Sequence, residues 1–415
     1  MMSDTAFTLP VSPATPATPA PPQPLLADDS ILAPEVPVLT TDRGVQAVAD
    51  DGAETPVATL ERILLELLRL DGSDLHLNAG LPPMIRADGD VQPLRGWSAL
   101  TSRQVHDIVF AILTGRQQQR LEEDRELDFA FELVGSARFR VNAMWQRGTI
   151  AATFRVIPWD IKPLESLNLP AALDRLPDLP RGLVLVTGPT GSGKSTTLAS
   201  IIDRINRTHQ GHVITVEDPV EFVHPSRSCV VSQREVGTDT PSFASALKHA
   251  LRQDPDVILV GEMRDLETIS IALTAAETGH LVLGTLHTSS AGSTIDRIID
   301  VFPPEQQSQV RAQLAGSLQA VVCQTLCRRA TGSGRVAATE VMMVTPAIRN
   351  LIREGKIASI PSALQTGSRQ GMHTLNQDLA RLVLDGTIDY EMALSRCSDA
   401  SELNQLLGRD DDGTD

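Results

Sequence analysis

Apolar positions first fall into a clear rhythm at Leu60, Ile63, Leu64, Leu67 and Leu68, the i, i+3, i+4, i+7, i+8 spacing that gives a helix one apolar face. Asp71-Gly72 ends that helix. Short alternating or clustered runs follow at Asp74–Leu77, Met84–Ala87, Phe129–Leu133, Ala137–Met144 and Thr149–Val156, parted by turn pairs such as Asp88-Gly89, and they predict strands. Residues 57–160 therefore read as a small α+β domain. Pro158, Pro163 and Pro170 punctuate the next stretch, and 161–172 reads as a linker.

After the linker the pattern changes. Apolar runs at Leu183–Thr187, Val213–Val216, Val257–Val260 and Leu281–Thr285 alternate with helical stretches at 194–207, 242–252, 265–278 and 293–300. That alternation predicts βαβ units and a largely parallel sheet, an α/β core over 173–303. Residues 304–400 read as mainly helical, interrupted by a strand-like run Arg335–Val344. No internal repeat of solenoid length is present.

Composition changes the picture at the two ends. Residues 1–56 hold 10 of the 27 prolines, with Pro-Ala-Thr repetition between Pro10 and Pro24. Such a segment cannot bury enough surface to offset the cost of ordering, and it reads as a disordered arm. Residues 401–415 read as an acidic tail that frays in solvent. Thirty-six Lys and Arg against 52 Asp and Glu leave a net charge of −16, and only 3% of residues are aromatic. Both argue against nucleic acid or anionic lipid as the main partner. No apolar run approaches a membrane span, and residues 1–24 carry no Lys or Arg for a secretory leader, so a cytosolic, soluble protein is expected. Cys229, Cys323, Cys327 and Cys397 are too scattered for a disulfide framework or a zinc site and read as reduced thiols, mostly buried.

Candidate chemistry centres on Gly188-Pro189-Thr190-Gly191-Ser192-Gly193-Lys194-Ser195, which matches G-x-x-x-x-G-K-[ST] between a predicted strand and a predicted helix that also takes in Thr196. The glycines allow a tight turn whose N–H groups and helix N-terminus face phosphates, Lys194 reaches the terminal ones, and Ser195 is placed to ligate Mg2+. Hydrolysis needs acidic groups as well. Asp256–Glu262 is an apolar strand with Glu262 just past its end, where open α/β sheets place their chemistry; Glu262 would polarise water or help hold the metal. Ile214–Pro219 ends in Glu217 and Asp218, and Glu217 is the second candidate. His280–Leu286 delivers His287 to the same edge.

These segments carry a resemblance. Ile214–Glu221, Asp254–Asp265 and Thr278–Thr288 are similar to the Asp box, Walker B and His box of the secretion-type ATPases, the hexameric motors of type II secretion and type IV pili. Gln233–Gly237, Ala276–His280 and Ala347–Glu354 resemble the pilus retraction branch within it. The resemblance covers roughly residues 57–400 and implies a PAS-like N-terminal domain, a RecA-like P-loop ATPase domain and a C-terminal helical subdomain. It implies a homo-hexamer that hydrolyses ATP with Mg2+ at the inner face of the inner membrane, peripheral and not inserted, withdrawing pilin through the pilus platform protein, with Ala347–Glu354 as the contact. It also implies that Arg140 and Arg155, in Arg138–Asn142 and Phe154–Val156, contact nucleotide phosphates; the alternative is two solvated strand arginines. Three departures are visible: the Pro-rich arm has no counterpart, the tetracysteine zinc motif of extension ATPases is missing, and Glu262 stands where an Asp-Glu pair could, leaving its division of labour with Glu217 open. An accessory retraction paralogue and a secretion or assembly ATPase stand as alternatives. A nucleic-acid translocase and a non-hydrolysing nucleotide sensor are the more distant ones.

Overall fold

The computed structural model describes residues 38–39, 55–87, 90–133, 135–157, 161–331 and 334–409. Most of the arm read at 1–56 and the last residues of the tail lie outside them. Within the arm, Val38–Leu39 forms a short strand, β1, paired parallel with a strand of the N-terminal domain.

That domain begins with α1 (Pro56–Arg69), started by a proline at its first position and by Thr55, whose Oγ1 accepts from the Ala58 N–H at 3.2 Å. Then come β2 (Asp74–Leu77), β3 (Met84–Ala87), β4 (Asp90–Pro93), α2 (Ser102–Ala111), α3 (Gly115–Asp124), β5 (Glu126–Leu133), β6 (Ala137–Gln146) and β7 (Thr149–Ile157). The sheet runs β1-β5-β6-β7-β2-β3-β4, antiparallel except at β1. The helices cover one face: Leu60, Ile63, Leu64 and Leu67 of α1 and Val105 and Val109 of α2 pack with Phe131, Phe139 and Phe154 of the strands. Helices α2 and α3 were missing from the sequence reading. Their starts are nevertheless written there as capping boxes, Thr101 with Gln104 and Thr114 with Gln117.

The second domain holds β8 (Gly182–Thr187), α4 (Lys194–Thr208), β9 (His212–Glu217), β10 (Val230–Glu235), α5 (Phe243–Ala250), β11 (Val257–Val260), α6 (Leu266–Thr278), β12 (Leu281–Leu286), α7 (Ala291–Asp300), α8 (Pro304–Ser317), β13 (Leu318–Arg328) and β14 (Arg335–Met343). Its sheet runs β10-β9-β11-β12-β8-β13-β14, parallel throughout except for β14. Both faces are covered. Leu183 and Leu185 of β8 point to α6, α7 and α8, while Val184 and Val186 point to Leu198, Ile201 and Ile202 of α4. Each such fully buried side chain contributes roughly 1.5–3 kcal/mol.

Three boundaries differ from the sequence reading. The stretch read as a linker packs into the core: Leu164 and Ala172 are buried against α4, and Lys162 O accepts from Ser200 Oγ at 2.7 Å. The subdomain read as mainly helical from 304 does begin with α8, but beside the expected strand at 335–344, β14, it holds a second, β13, and both extend the main sheet; β13 escaped notice because Gln319, Gln324 and Thr325 interrupt its apolar run. After α9 (Pro346–Glu354), α10 (Ile360–Thr366), α11 (Leu375–Leu384) and α12 (Tyr390–Leu394), the stretch read as an acidic tail instead forms α13 (Ala400–Leu407). Asp399 caps that helix through the Ser401 and Glu402 N–H groups, and Leu403 is fully buried on α11 and the β13–β14 hairpin. All four cysteines are free thiols, three of them buried.

Candidate nucleotide-binding and catalytic site

The parallel order brings four strand ends to one edge: the glycine-rich loop after β8, Glu217 at the end of β9, Glu262 beyond β11 and His287 beyond β12. Between them opens a cleft of about 520 Å3, lined by Thr190, Gly191, Gly193, Lys194, Ser195 and Thr196 together with Glu217, Glu262 and His287. Gly188, Pro189 and Ser192 do not line it but shape the turn. Gly188 has φ +137° and passes so close to β13 that a Cβ would stand 2.2 Å from Gln324 O. Gly193, at φ +92°, leads into α4, whose N-terminus therefore faces the cleft.

Lys194 Nζ donates to Gly188 O at 2.8 Å and Pro189 O at 3.1 Å, which folds the ammonium over the loop. Burial holds its pKa below the ordinary lysine value, with Glu262 and Glu221 working the other way.

The two carboxylates sit in different surroundings. Glu217 is buried, and its Oε1 accepts from Thr215 Oγ1 at 2.6 Å and Gln233 Nε2 at 3.1 Å, its Oε2 from the Glu221 N–H at 3.3 Å. Burial pushes its pKa up, and those three hydrogen bonds only partly oppose the shift. Glu262 is more open. His287 Nε2 lies 3.0 Å from its Oε1, and Arg264 pairs with the same oxygen. Thr285 of β12 donates to Gly261 O, fixing the backbone just before Glu262.

Arg140 and Arg155 are not brought to this cleft. They face each other across the β6–β7 pair, both exposed on the face of the N-terminal sheet away from its helices. Arg155 Nε is held by Asp74 Oδ1 at 2.7 Å; burial works to raise that carboxyl's pKa, yet the hydrogen bonds from Arg155 and Ser73 bring it below the ordinary value. Arg138, on the same face, crosses instead to the second domain, with Nη2 3.5 Å from Glu235 Oε2. Glu235 also accepts from the Val220 N–H at 3.1 Å, in the loop that follows Glu217.

Sequence reasoning missed several cleft residues: Phe222, His224, Phe243, Leu326 and Arg335. The last two come from the β13–β14 hairpin, and placing that hairpin in the main sheet was the step that could have found them. In the Ala347–Glu354 segment, Ile348 and Ile352 are buried at i, i+4 spacing, while Arg349 is only half exposed and turns back on the scaffold. Its guanidinium donates to Ala315 O at 2.6 Å and Gly316 O at 2.9 Å, carbonyls in the last turn of α8. Ala347, Asn350, Arg353 and Glu354 form the exposed side.

Comparison with known proteins agrees with this geometry. The family model described as type II/IV secretion system protein matches residues 52–394. The type IV pilus retraction ATPase PilT of Pseudomonas aeruginosa is 57% identical over 321 residues, 77% of this chain and 93% of that protein. The twitching motility protein of Neisseria gonorrhoeae is 50% identical over 322 residues, 78% of this chain and 86% of the relative. Among solved structures, that of the pilus retraction motor PilT with bound ADP aligns at a TM-score of 0.79 with 46% identity, covering 83% of this chain and 99% of the other. The Legionella pneumophila ATPase DotB aligns at 0.71 with 32% identity, covering 82% and 94%. A glycine-rich loop, two carboxylates and a histidine gathered at the edge of a parallel sheet, in a chain so related, make this a P-loop ATPase of the type II/IV secretion system protein family.

Proposed function

We propose that the chain is the subunit of a hexameric, ATP-driven motor that withdraws type IV pili. The observation that carries this reading is the convergence of Glu217, Glu262 and His287 on the phosphate loop. It is supported by the 57% identity to a pilus retraction ATPase.

In this reading Lys194 and the loop N–H groups bind the phosphates of ATP, and Ser195 and Glu262 hold Mg2+, which would neutralise developing phosphate charge. A hydroxyl and a carboxylate flanking the loop fit a hard cation. Glu217 polarises the attacking water: desolvation raises its basicity, and Thr215, Gln233 and the Glu221 N–H fix which way it points. His287 and Arg264 orient Glu262.

Arg140 and Arg155, outward-facing and away from their own cleft, complete the cleft of a neighbouring subunit, so turnover requires a ring. The motor works in the cytoplasm against the inner face of the inner membrane, touching the platform protein through Ala347, Asn350, Arg353 and Glu354. Among the described residues, no helix is long and apolar enough to cross a membrane.

The test pairs two measurements: phosphate release by the purified chain, and pilus length and twitching after the gene is deleted and restored as wild type or Lys194→Ala. Turnover together with piliated, non-twitching cells that only the wild type rescues supports the motor. Turnover with unchanged twitching points to an accessory paralogue, and loss of surface pili points to assembly.

A further inference from the structure

One buried polar side chain touches the phosphate loop without lining the cleft. Gln324 follows Cys323, the last residue of β13 that pairs with β8, so its strand continues past the end of β8 along the side of the loop. It is 4% exposed, and both ends of its amide are used. Nε2 donates to Ser192 O at 2.8 Å, inside the loop; Oε1 accepts from Thr197 Oγ1 at 3.0 Å, in the first turn of α4. The loop is moulded to the same residue, since a Cβ on Gly193 would lie 3.0 Å from Gln324 Nε2 and one on Gly188 2.2 Å from Gln324 O.

Peptide planarity gives these contacts a consequence. The Ser192 carbonyl and the Gly193 N–H belong to one rigid plane and point opposite ways. Drawing the carbonyl toward β13 therefore turns the N–H away from β13, and Gly193 lines the cleft. A loop of this kind binds phosphate only if its N–H groups already point inward, because reorienting them on binding would consume affinity. We propose that Gln324 is a positioning residue for the nucleotide: its amide fastens the loop to the first turn of α4 and holds the Gly193 N–H toward the phosphates.

The inference rests on the nucleotide reading of the cleft, and the experiment separates the two. A fluorescent ADP analogue is titrated against wild type, Lys194→Ala, Gln324→Met, Thr197→Val and the Gln324→Met/Thr197→Val double variant, with ATP turnover and the nucleotide-free melting midpoint measured on each. Methionine keeps the volume and removes both hydrogen bonds. Losing contacts that each stabilise modestly should weaken ADP binding roughly five- to tenfold and raise KM alike, with kcat at saturation kept within about twofold. Thr197→Val should weaken binding by about threefold, and the double variant should bind no worse than Gln324→Met, because the two act as one unit. A Gln324→Met protein that melts like wild type and binds ADP as tightly overturns the proposal. So does a kcat that collapses at unchanged KM, or a double variant whose losses multiply. Should Gln324→Met not fold, unchanged affinity in Thr197→Val overturns it instead. If wild type fails to bind ADP and Lys194→Ala behaves identically, the nucleotide reading itself is wrong.

Discussion

Strands β6 and β8 obey the same two-residue alternation of side chains but turn it to different use. In β6 the inward residues Ala137, Phe139, Val141 and Ala143 are buried, while Arg138, Arg140 and Asn142 alternate with them on the other face. In β8 all six residues are buried, because helices cover both sides of the parallel sheet. An antiparallel sheet with one free face can carry chemistry anywhere along that face. A doubly covered parallel sheet can offer it only where the strands stop. The N-terminal domain accordingly presents Arg140 and Arg155 outward, and the second domain gathers its loop, Glu217, Glu262 and histidine at one edge. Within a single chain the two sets do not meet.

The largest effect should come from breaking the edge itself. Lys194→Ala removes the only cation of the loop and should lower turnover by on the order of 10²–10³ or more. Near-normal phosphate release by folded variant protein would contradict the assignment. Next come the two carboxylates, whose surroundings differ. Glu217→Gln should keep ADP affinity and lose on the order of 10²–10⁴ in turnover, whereas Glu262→Gln should instead shift the Mg2+ concentration needed for half-maximal rate. Because burial raises the Glu217 pKa, the wild-type rate should fall on the acid side at a pH above the ordinary glutamate range, and that limb should vanish in the residual activity of Glu217→Gln.

The comparison between sheets is sharpened by mixing. Arg140→Ala or Arg155→Ala subunits should be inactive alone, yet recover part of the activity when co-assembled with Lys194→Ala subunits, since some interfaces then unite an intact loop with intact arginines. No recovery despite demonstrated co-assembly would mean the arginines act within their own chain or not at all. Asp74→Asn, which removes the charge that holds Arg155, should give a weaker version of the Arg155→Ala defect.

The smallest effect concerns stability. His224 lines the cleft, its Nδ1 is buried without a partner, and burial pulls its pKa from 6.5 down to about 4. The unfolded chain therefore takes up a proton that the folded one refuses, and stability present above pH 6.5 is lost as the pH falls toward 4, by up to about 3 kcal/mol. His224→Phe should flatten that part of the pH dependence in denaturant titrations. An unchanged slope would place the acid sensitivity elsewhere.

Much of this was legible in the residues. The strand-loop-helix at 183–207 announces itself because a phosphate loop constrains composition and flanks together, and Glu217, Glu262 and His287 follow from apolar runs that end in polar residues. Where a partner in space decides the outcome, the sequence was silent. β13 carries only the short apolar run Ala320–Cys323 between glutamines and is fixed by pairing with β8 and β14, and α13 has the single fully buried residue Leu403, whose cover on α11 and the β13–β14 hairpin its own segment does not announce. The arginines were legible only as two positions fifteen residues apart on successive strand-like runs, singled out by the family resemblance. What they touch depends on another surface, so residue spacing could not say.

Arg349 carries a lesson for genetics. Were retraction-defective mutants to fall along the Ala347–Glu354 segment, the temptation would be to map them all as a footprint of the proposed partner. A guanidinium that closes the last turn of α8 belongs to the scaffold's own joinery, so its loss would mimic a docking defect while merely loosening the mount. Asn350, Arg353 and Glu354 are where the surface can be altered without disturbing that joint, and suppressor mutations in a partner should be sought against those three.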